Sequence, residues 1–188
     1  MFAKLSVCLD TLLKKINGIK FIIISTFILF SSACNNTPHY RIAPHKPEQE
    51  GVLSGQYIPY FELPDSLGNK IPVEVVMGKA TIIDFWASWC RPCREAANPA
   101  YNKLYERYHN RGLNIIGVST DRHMYFWKKA LKQDSLPWLQ LIDSTRQILQ
   151  TYQVKSLPAM YLIDRNGKIV GKNLWGKGLE FKIDSLLK

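Results

Sequence analysis

Asp84-Phe85-Trp86-Ala87-Ser88-Trp89-Cys90-Arg91-Pro92-Cys93 is the stretch on which the reading turns. It closes a β-branched and aromatic run, Ala80 to Trp86, short enough to be a buried strand. It opens a helix-like segment from Cys90 to His109, with Tyr101, Leu104, Tyr105 and Tyr108 at helical spacing and Gly112 as the stop. A strand that runs straight into a helix sets both cysteines at a helix N-terminus. There, unpaired N–H groups and the macrodipole stabilise a thiolate. Arg91 adds positive charge, and Pro92 is tolerated in the first turn, where its missing N–H costs nothing. The two-residue spacing lets the sulfurs meet in an exchange-prone disulfide. Other chemistries share the pattern. A structural disulfide is one, although so tight a loop adds little chain-entropy stabilisation. Zinc is another, although it wants four ligands and no second CxxC exists. Soft Cu(I), content with two thiolates, is a third. Redox exchange leads.

Outward from this stretch the chain alternates strand-like and helix-like segments. Tyr60–Leu63 and Ile71–Val76 flank the turn-rich Asp65-Ser66-Leu67-Gly68-Asn69, which reads as a hairpin. Leu113–Ser119 is a second buried strand, Met124–Leu131 a helix and Trp138–Ile142 extended, and Asp143 is placed to cap a helix through Tyr152. Ala159–Ile163 and Ile169–Leu174 are separated by a loop holding Asn166-Gly167, the strongest short hairpin signal. A last helix runs from Leu179 to Leu187. Alternation first and a hairpin last predict one α/β domain with a mixed sheet, over residues 55–188.

The chain has 188 residues, 46% of them hydrophobic and 21% charged, which is ordinary globular composition with enough apolar mass for a core. Residues 1–20 carry Lys4, Lys14, Lys15 and Lys20 against Asp10; Phe21–Phe30 is apolar, and Ser31-Ser32-Ala33-Cys34 follows. A basic start, a short apolar core and small residues at its end form a secretory signal layout. From Phe21 to Ala33 is 13 residues, against roughly 20 needed to cross hydrocarbon. The SSAC end resembles a bacterial lipobox in which Cys34 is lipidated, with Ser31 where Leu is usual; Ser31-x-Ala33 also fits ordinary cleavage. Residues 34–54, polar and containing Pro38, Pro44 and Pro47, read as a tether. The leader holds four of the 25 basic and one of the 15 acidic residues, so the net charge falls from +10 to +7 without it. The remaining basic residues are scattered over helix faces, and nucleic-acid binding is at odds with export; that class is rejected. His39, His45, His109 and His123 form no ligand set and read as solvated surface residues.

The quoted stretch resembles the active-site strand and turn of the thioredoxin superfamily. Leu157-Pro158 before Ala159–Ile163 resembles its cis-proline loop, and the segment between Leu113 and Gln153 resembles the extra helix and strand of the exported, membrane-tethered TlpA/ResA-like branch. The resemblance spans residues 57–188. It implies a thioredoxin-like fold: a central mixed sheet flanked by helices, an N-terminal β-hairpin and a TlpA-type αβ insertion. It also implies a redox-active Cys90–Cys93 disulfide in which Cys90 is the exposed nucleophile and Cys93 resolves the mixed disulfide. Asp84 matches the buried carboxylate that relays a proton for Cys93. Apart from the family, the alternative reading of Asp84 is a strand-end Asp hydrogen-bonded for structure, and Leu157-Pro158 reads as an ordinary trans turn. Pro158 would be cis, facing the disulfide, with the Leu157 backbone pairing an extended substrate. Trp86 reads as core and Trp89 as an exposed platform; Arg91 and Pro92 complete the substrate-facing set.

Two departures stand out. Members of the branch place Glu three residues after the second Cys, with Pro soon after; here that position is Ala96, with Glu95 before it and Pro99 after, as if one residue were shifted or inserted. Leu157 also replaces the usual Thr or Val. The reading is a thiol–disulfide oxidoreductase reducing disulfides of exported proteins, for example in cytochrome c maturation. It needs no cofactor or metal, is fed by a membrane thiol–disulfide donor, and acts as a monomer lipid-anchored in the cell envelope on the periplasmic side. The alternatives are a copper-binding module on the same thiols and a thiol peroxidase. Ala87 stands where peroxidases of this fold place Thr.

Overall fold

The computed structural model describes residues 44–188. The leader of residues 1–33, Cys34 and His39 lie outside the described residues. Two short strands come first, β1 (Glu62–Pro64) and β2 (Lys70–Pro72), antiparallel around the Asp65–Asn69 turn. Asp65 Oδ1 accepts the N–H groups of Leu67 and Asn69, which closes that turn. The strand expected to run on to Val76 stops at Pro72, and Val73–Val76 is instead a 3₁₀ turn that drives Val73 into the core.

The main sheet has the order β5-β4-β3-β6-β7. Its strands are β3 (Ala80–Trp86), β4 (Leu113–Ser119), β5 (Leu139–Ile142), β6 (Ala159–Asp164) and β7 (Ile169–Lys172). β3, β4 and β5 are parallel, whereas β6 runs antiparallel to β3 and β7 antiparallel to β6. The β6–β7 turn has Asp164 Oδ1 accepting from Asn166 and Lys168, with Gly167 at φ +88°. All seven residues of β3 are buried, as a central strand covered on both faces requires.

Side chains alternate across β3, so its two faces feed different cores. Ala80 and Ile82 pack with Tyr101, Leu104 and Tyr108 of α1 (Asn98–Tyr108) and with Leu179 and Ile183 of α4 (Gly176–Leu186). Ile83 and Phe85 pack on the other side with Phe61, Tyr152 and Tyr161, near α3 (Gln147–Thr151). Fully burying one such Ile or Phe contributes about 1.5–3 kcal/mol. α2 (Met124–Asp134) adds Trp127 and Ala130 to a third cluster, which contains Trp86 and both cysteines.

The fold claims residues ahead of Gly55. Val52 is buried in the core, Gly51 N–H donates to Tyr57 O, and Gly55 N–H donates to Ile169 O. The described part of the expected tether, residues 44–54, is therefore packed on the domain. His45 is not the solvated residue the sequence implied, whereas His109 is exposed as expected. His45 stacks on Tyr57 at 4.2 Å between ring centroids and sits 3.0 Å from Glu50, while His109 stacks on Tyr105 and contacts Leu113 O. α4 begins at Gly176, earlier than expected.

Candidate active site at the end of the central strand

β3 ends at Trp86, and the chain turns through Ala87, Ser88 and Trp89 into the helix that carries both cysteines. The turn is held from a distance. Asp121, just past β4, accepts Ser88 N–H at 2.8 Å, Ser88 Oγ at 2.7 Å and Ser119 Oγ at 2.7 Å. Thr120 N–H donates to Trp86 O, and Trp86 Nε1 donates to Gln140 on β5. Cys90 N–H donates back to Ala87 O, which starts the helix.

That helix is not regular. Residues 91–92 are α-helical, Cys93–Ala97 form a π turn, and the regular helix α1 then follows. Asn98 N–H reaches Cys93 O, one residue further back than an α-helix allows. The cause lies in Pro99, which stands in the first turn of α1. A regular turn would drive its ring into the carbonyl four residues earlier, that of Glu95. Widening the turn removes the clash and absorbs one extra residue. The wide turn thus accommodates Pro99; it does not account for Glu95, which stands one position nearer Cys93 than the Glu of the branch. Ala96 is exposed, and the neighbouring Ala97 is the buried member. Glu95 turns outward to Arg91, with Nε to Oε2 at 2.7 Å and both side chains exposed.

Cys90 and Cys93 are joined as a disulfide. The residue expected to be exposed, Cys90, keeps only 4% of its surface and Cys93 none, so solvent reaches the pair through Cys90. Cys93 N–H points at Cys90 Sγ at 3.3 Å. A donor fixed on that sulfur favours its charged form, as a helix N-terminus does. Arg91 contributes less positive charge to the thiolate than its adjacency implied, because Glu95 offsets it. Arg94, which the sequence did not single out, anchors the helix start: it donates from Nε at 2.8 Å to Asp134 Oδ2 and from Nη1 to Ser88 O. The Asp134 pairing, only partly exposed, holds the Arg94 guanidinium above its ordinary pKa. Arg94→Ala is expected to cost about 1–3 kcal/mol of stability, read as a lower urea midpoint.

Asp84 lies on the β3 face shared by Ile82, which packs with the α1 side chains, and Trp86, which packs with Cys93. It is 1% exposed, and its carboxyl takes no hydrogen bond from a described residue. It is therefore not a structurally bonded strand-end Asp. Burial without a partner pushes its pKa up to about 8. The buried Tyr101 hydroxyl is likewise unpartnered, and burial together with the Asp84 charge raises its pKa.

The Leu157–Pro158 bond is cis. Leu157 packs against the cluster holding both cysteines, and its N–H and C=O take no backbone partner among the described residues. Pro92 is exposed, and Trp89, 64% exposed, stands beside the disulfide as a bare aromatic surface. No group of three or more metal-ligating side chains occurs among the described residues. A cleft of about 430 Å³ between α1 and α4 contains neither cysteine.

Residues 54–172 match the AhpC/TSA family model. The chain is 36% identical over 125 residues to the thiol-disulfide oxidoreductase ResA of a Bacillus cereus strain, covering 66% of this chain and 72% of that protein. The thioredoxin domain of a thiol-disulfide oxidoreductase from Bacteroides vulgatus superposes with a TM-score of 0.67 at 32% identity, covering 73% of this chain and 100% of that one. A thiol:disulfide interchange protein from Bacteroides sp. gives a TM-score of 0.65 at 32% identity, covering 72% and 91%.

Proposed function

The chain belongs to the AhpC/TSA family and, with its ResA relatives, is a protein thiol-disulfide oxidoreductase; from that premise we propose that Cys90 and Cys93 carry the exchange and that its substrates are disulfides of exported proteins. The observation that carries this reading is the Cys93 N–H aimed at Cys90 Sγ beside an exposed Trp89 and an unpaired Leu157 backbone. In the reduced protein the Cys90 thiolate attacks one sulfur of a substrate disulfide. A Cys90–substrate S–S bond forms and the other substrate sulfur leaves as a thiolate, which takes a proton from solvent. Cys93 then gives its proton to ionised Asp84 and attacks Cys90 Sγ, which releases the second substrate sulfur as a thiolate, protonated from solvent, and closes Cys90–Cys93. Asp84 at a pKa of about 8 is close to an ordinary thiol, so that transfer is nearly isoenergetic.

An extended substrate backbone pairs with Leu157 across from the disulfide, as in strand addition, beside cis-Pro158 and next to Arg91, Pro92 and Trp89. Ala87, fully buried and apolar, offers no hydroxyl three residues before Cys90, which disfavours peroxide chemistry. The basic leader, the lipobox-like Cys34 and the polar segment after it support export and lipid anchoring in the periplasm-facing envelope. No helix of the described residues is long and apolar enough to cross a membrane. Regeneration then falls to a membrane thiol–disulfide donor, and disulfides of apocytochrome c haem-binding cysteines are one substrate of this kind.

Mixing the reduced protein with a disulfide-closed Cys-x-x-Cys-His peptide tests direction. Two peptide thiols are expected per Cys90–Cys93 disulfide formed. Oxidation of the reduced peptide by the oxidised protein, with no reverse flow, would assign the opposite role.

A further inference from the structure

Trp89 and Arg146 together form a ridge between two clefts. One, of about 370 Å³, runs past Ser88 toward Arg122 and Phe126; the other, of about 160 Å³, runs toward Lys155 and Leu157. Both open beside the disulfide, since Ser88 precedes Cys90 by two residues and Leu157 packs on the cysteine cluster. Phe126 is 54% exposed, so the ridge and one cleft present uncovered aromatic surface.

The charges of this surface are uneven. Arg122, Arg146 and Lys155 have no carboxylate partner among the described residues. The other cations near the cysteines are neutralised, Arg91 by Glu95 and Arg94 by Asp134. One carboxylate lines the larger cleft, Asp121. It is 3% exposed, and its oxygens are taken by Ser88 and Ser119, with Arg94 also acting on it. Arg146 is itself pre-positioned. It is half-buried in a left-handed backbone conformation at φ +61°, and its Nε donates to Thr120 O at 3.2 Å. Its two terminal nitrogens are left without a described partner, a planar fork suited to a carboxylate.

Resting on the exchange reading above, we propose that this surface selects disulfide-bearing segments carrying a Glu or Asp beside the cysteine, with Arg146 gripping that carboxylate across the ridge. The substrate backbone lies along Leu157, an apolar side chain rests on Trp89 and Phe126, and Arg122 and Lys155 set the sign of the surrounding field. The step is a specificity device and leaves the chemistry with the thiols.

Two synthetic peptides test it, each closed by one disulfide and identical save for Glu or Lys beside the cysteines. The reduced full chain is expected to favour the Glu peptide in kcat/KM by about tenfold at low ionic strength, with the ratio narrowing at high salt. Arg146→Gln lowers the ratio about three- to fivefold, Arg122→Gln lowers it in the same direction, and Arg146→Lys recovers part of it. Equal kcat/KM on the two peptides in the wild type, or a ratio untouched by Arg146→Gln, overturns the proposal. Uncharged hydroxyethyl disulfide separates the two levels. A wild type that reduces it but treats both peptides alike loses only the acidic grip, whereas one that cannot reduce it loses the exchange reading and the grip with it.

Discussion

Replacing Cys93 by Ser is expected to halt turnover and to leave the substrate covalently attached to Cys90, a species absent from the wild type at steady state. Solvent reaches the pair through Cys90 at 4% exposure and not through Cys93. The Cys93 backbone N–H that favours the Cys90 thiolate survives the substitution, because it belongs to the main chain. The first attack therefore proceeds and the second has no nucleophile. Exchange falls to the uncatalysed background, a loss of the size that follows removal of any residue acting as one unit with its partner. Intact-mass spectrometry under non-reducing conditions with the disulfide peptide checks this: one peptide mass added, removable by dithiothreitol. Cys90→Ser gives no adduct. An adduct on Cys93 in that variant would reverse the two roles.

Asp84→Asn is expected to raise stability most where the wild-type carboxylate is charged. The folded pKa of about 8 lies above the ordinary 3.8, so the folded state holds a proton that the unfolded state releases. Wild-type stability must then fall as pH rises from about 4 through about 8, at up to 1.36 kcal/mol per pH unit from this group. Between pH 5 and pH 9 the loss attributable to Asp84 is on the order of 4 kcal/mol. Urea unfolding of both proteins at those two pH values isolates it, since every other titrating group is common to the pair. The variant gains on the wild type as pH rises, and parallel stability curves would remove the buried, unpaired carboxylate from the account. The same substitution takes away the acceptor for the Cys93 proton, so the mixed disulfide resolves more slowly in the variant even as its fold becomes more stable.

Features set by local pattern were legible in the chain. β3 and β4 are apolar runs of strand length, the cysteines follow a strand and open a helix, and Asn166-Gly167 sits in the turn it signals. The tail of the first hairpin misled because Val73–Val76 has β-type composition, while β2 pairs only with the short β1 and the chain leaves the ladder at Pro72. The π turn was half visible. Pro99 inside the helix signalled a disturbed turn, and only the backbone shows that a wide turn accommodates it. Asp121, Asp134, Thr120 and Gln140 hold the site from 33 to 54 residues away, through hydrogen bonds that no local spacing encodes. Arg146 was invisible for the same reason: its place beside Trp89 depends on how two loops from different strands meet.

The most direct test is to equilibrate the full chain with dithiothreitol or glutathione redox buffers and count alkylatable thiols at Cys90 and Cys93. A single two-electron transition in the folded protein is expected, within the span from about −270 mV to about −120 mV occupied by proteins of this fold. A pair that opens only when the protein unfolds, or that does not reclose once reduced, would contradict the account.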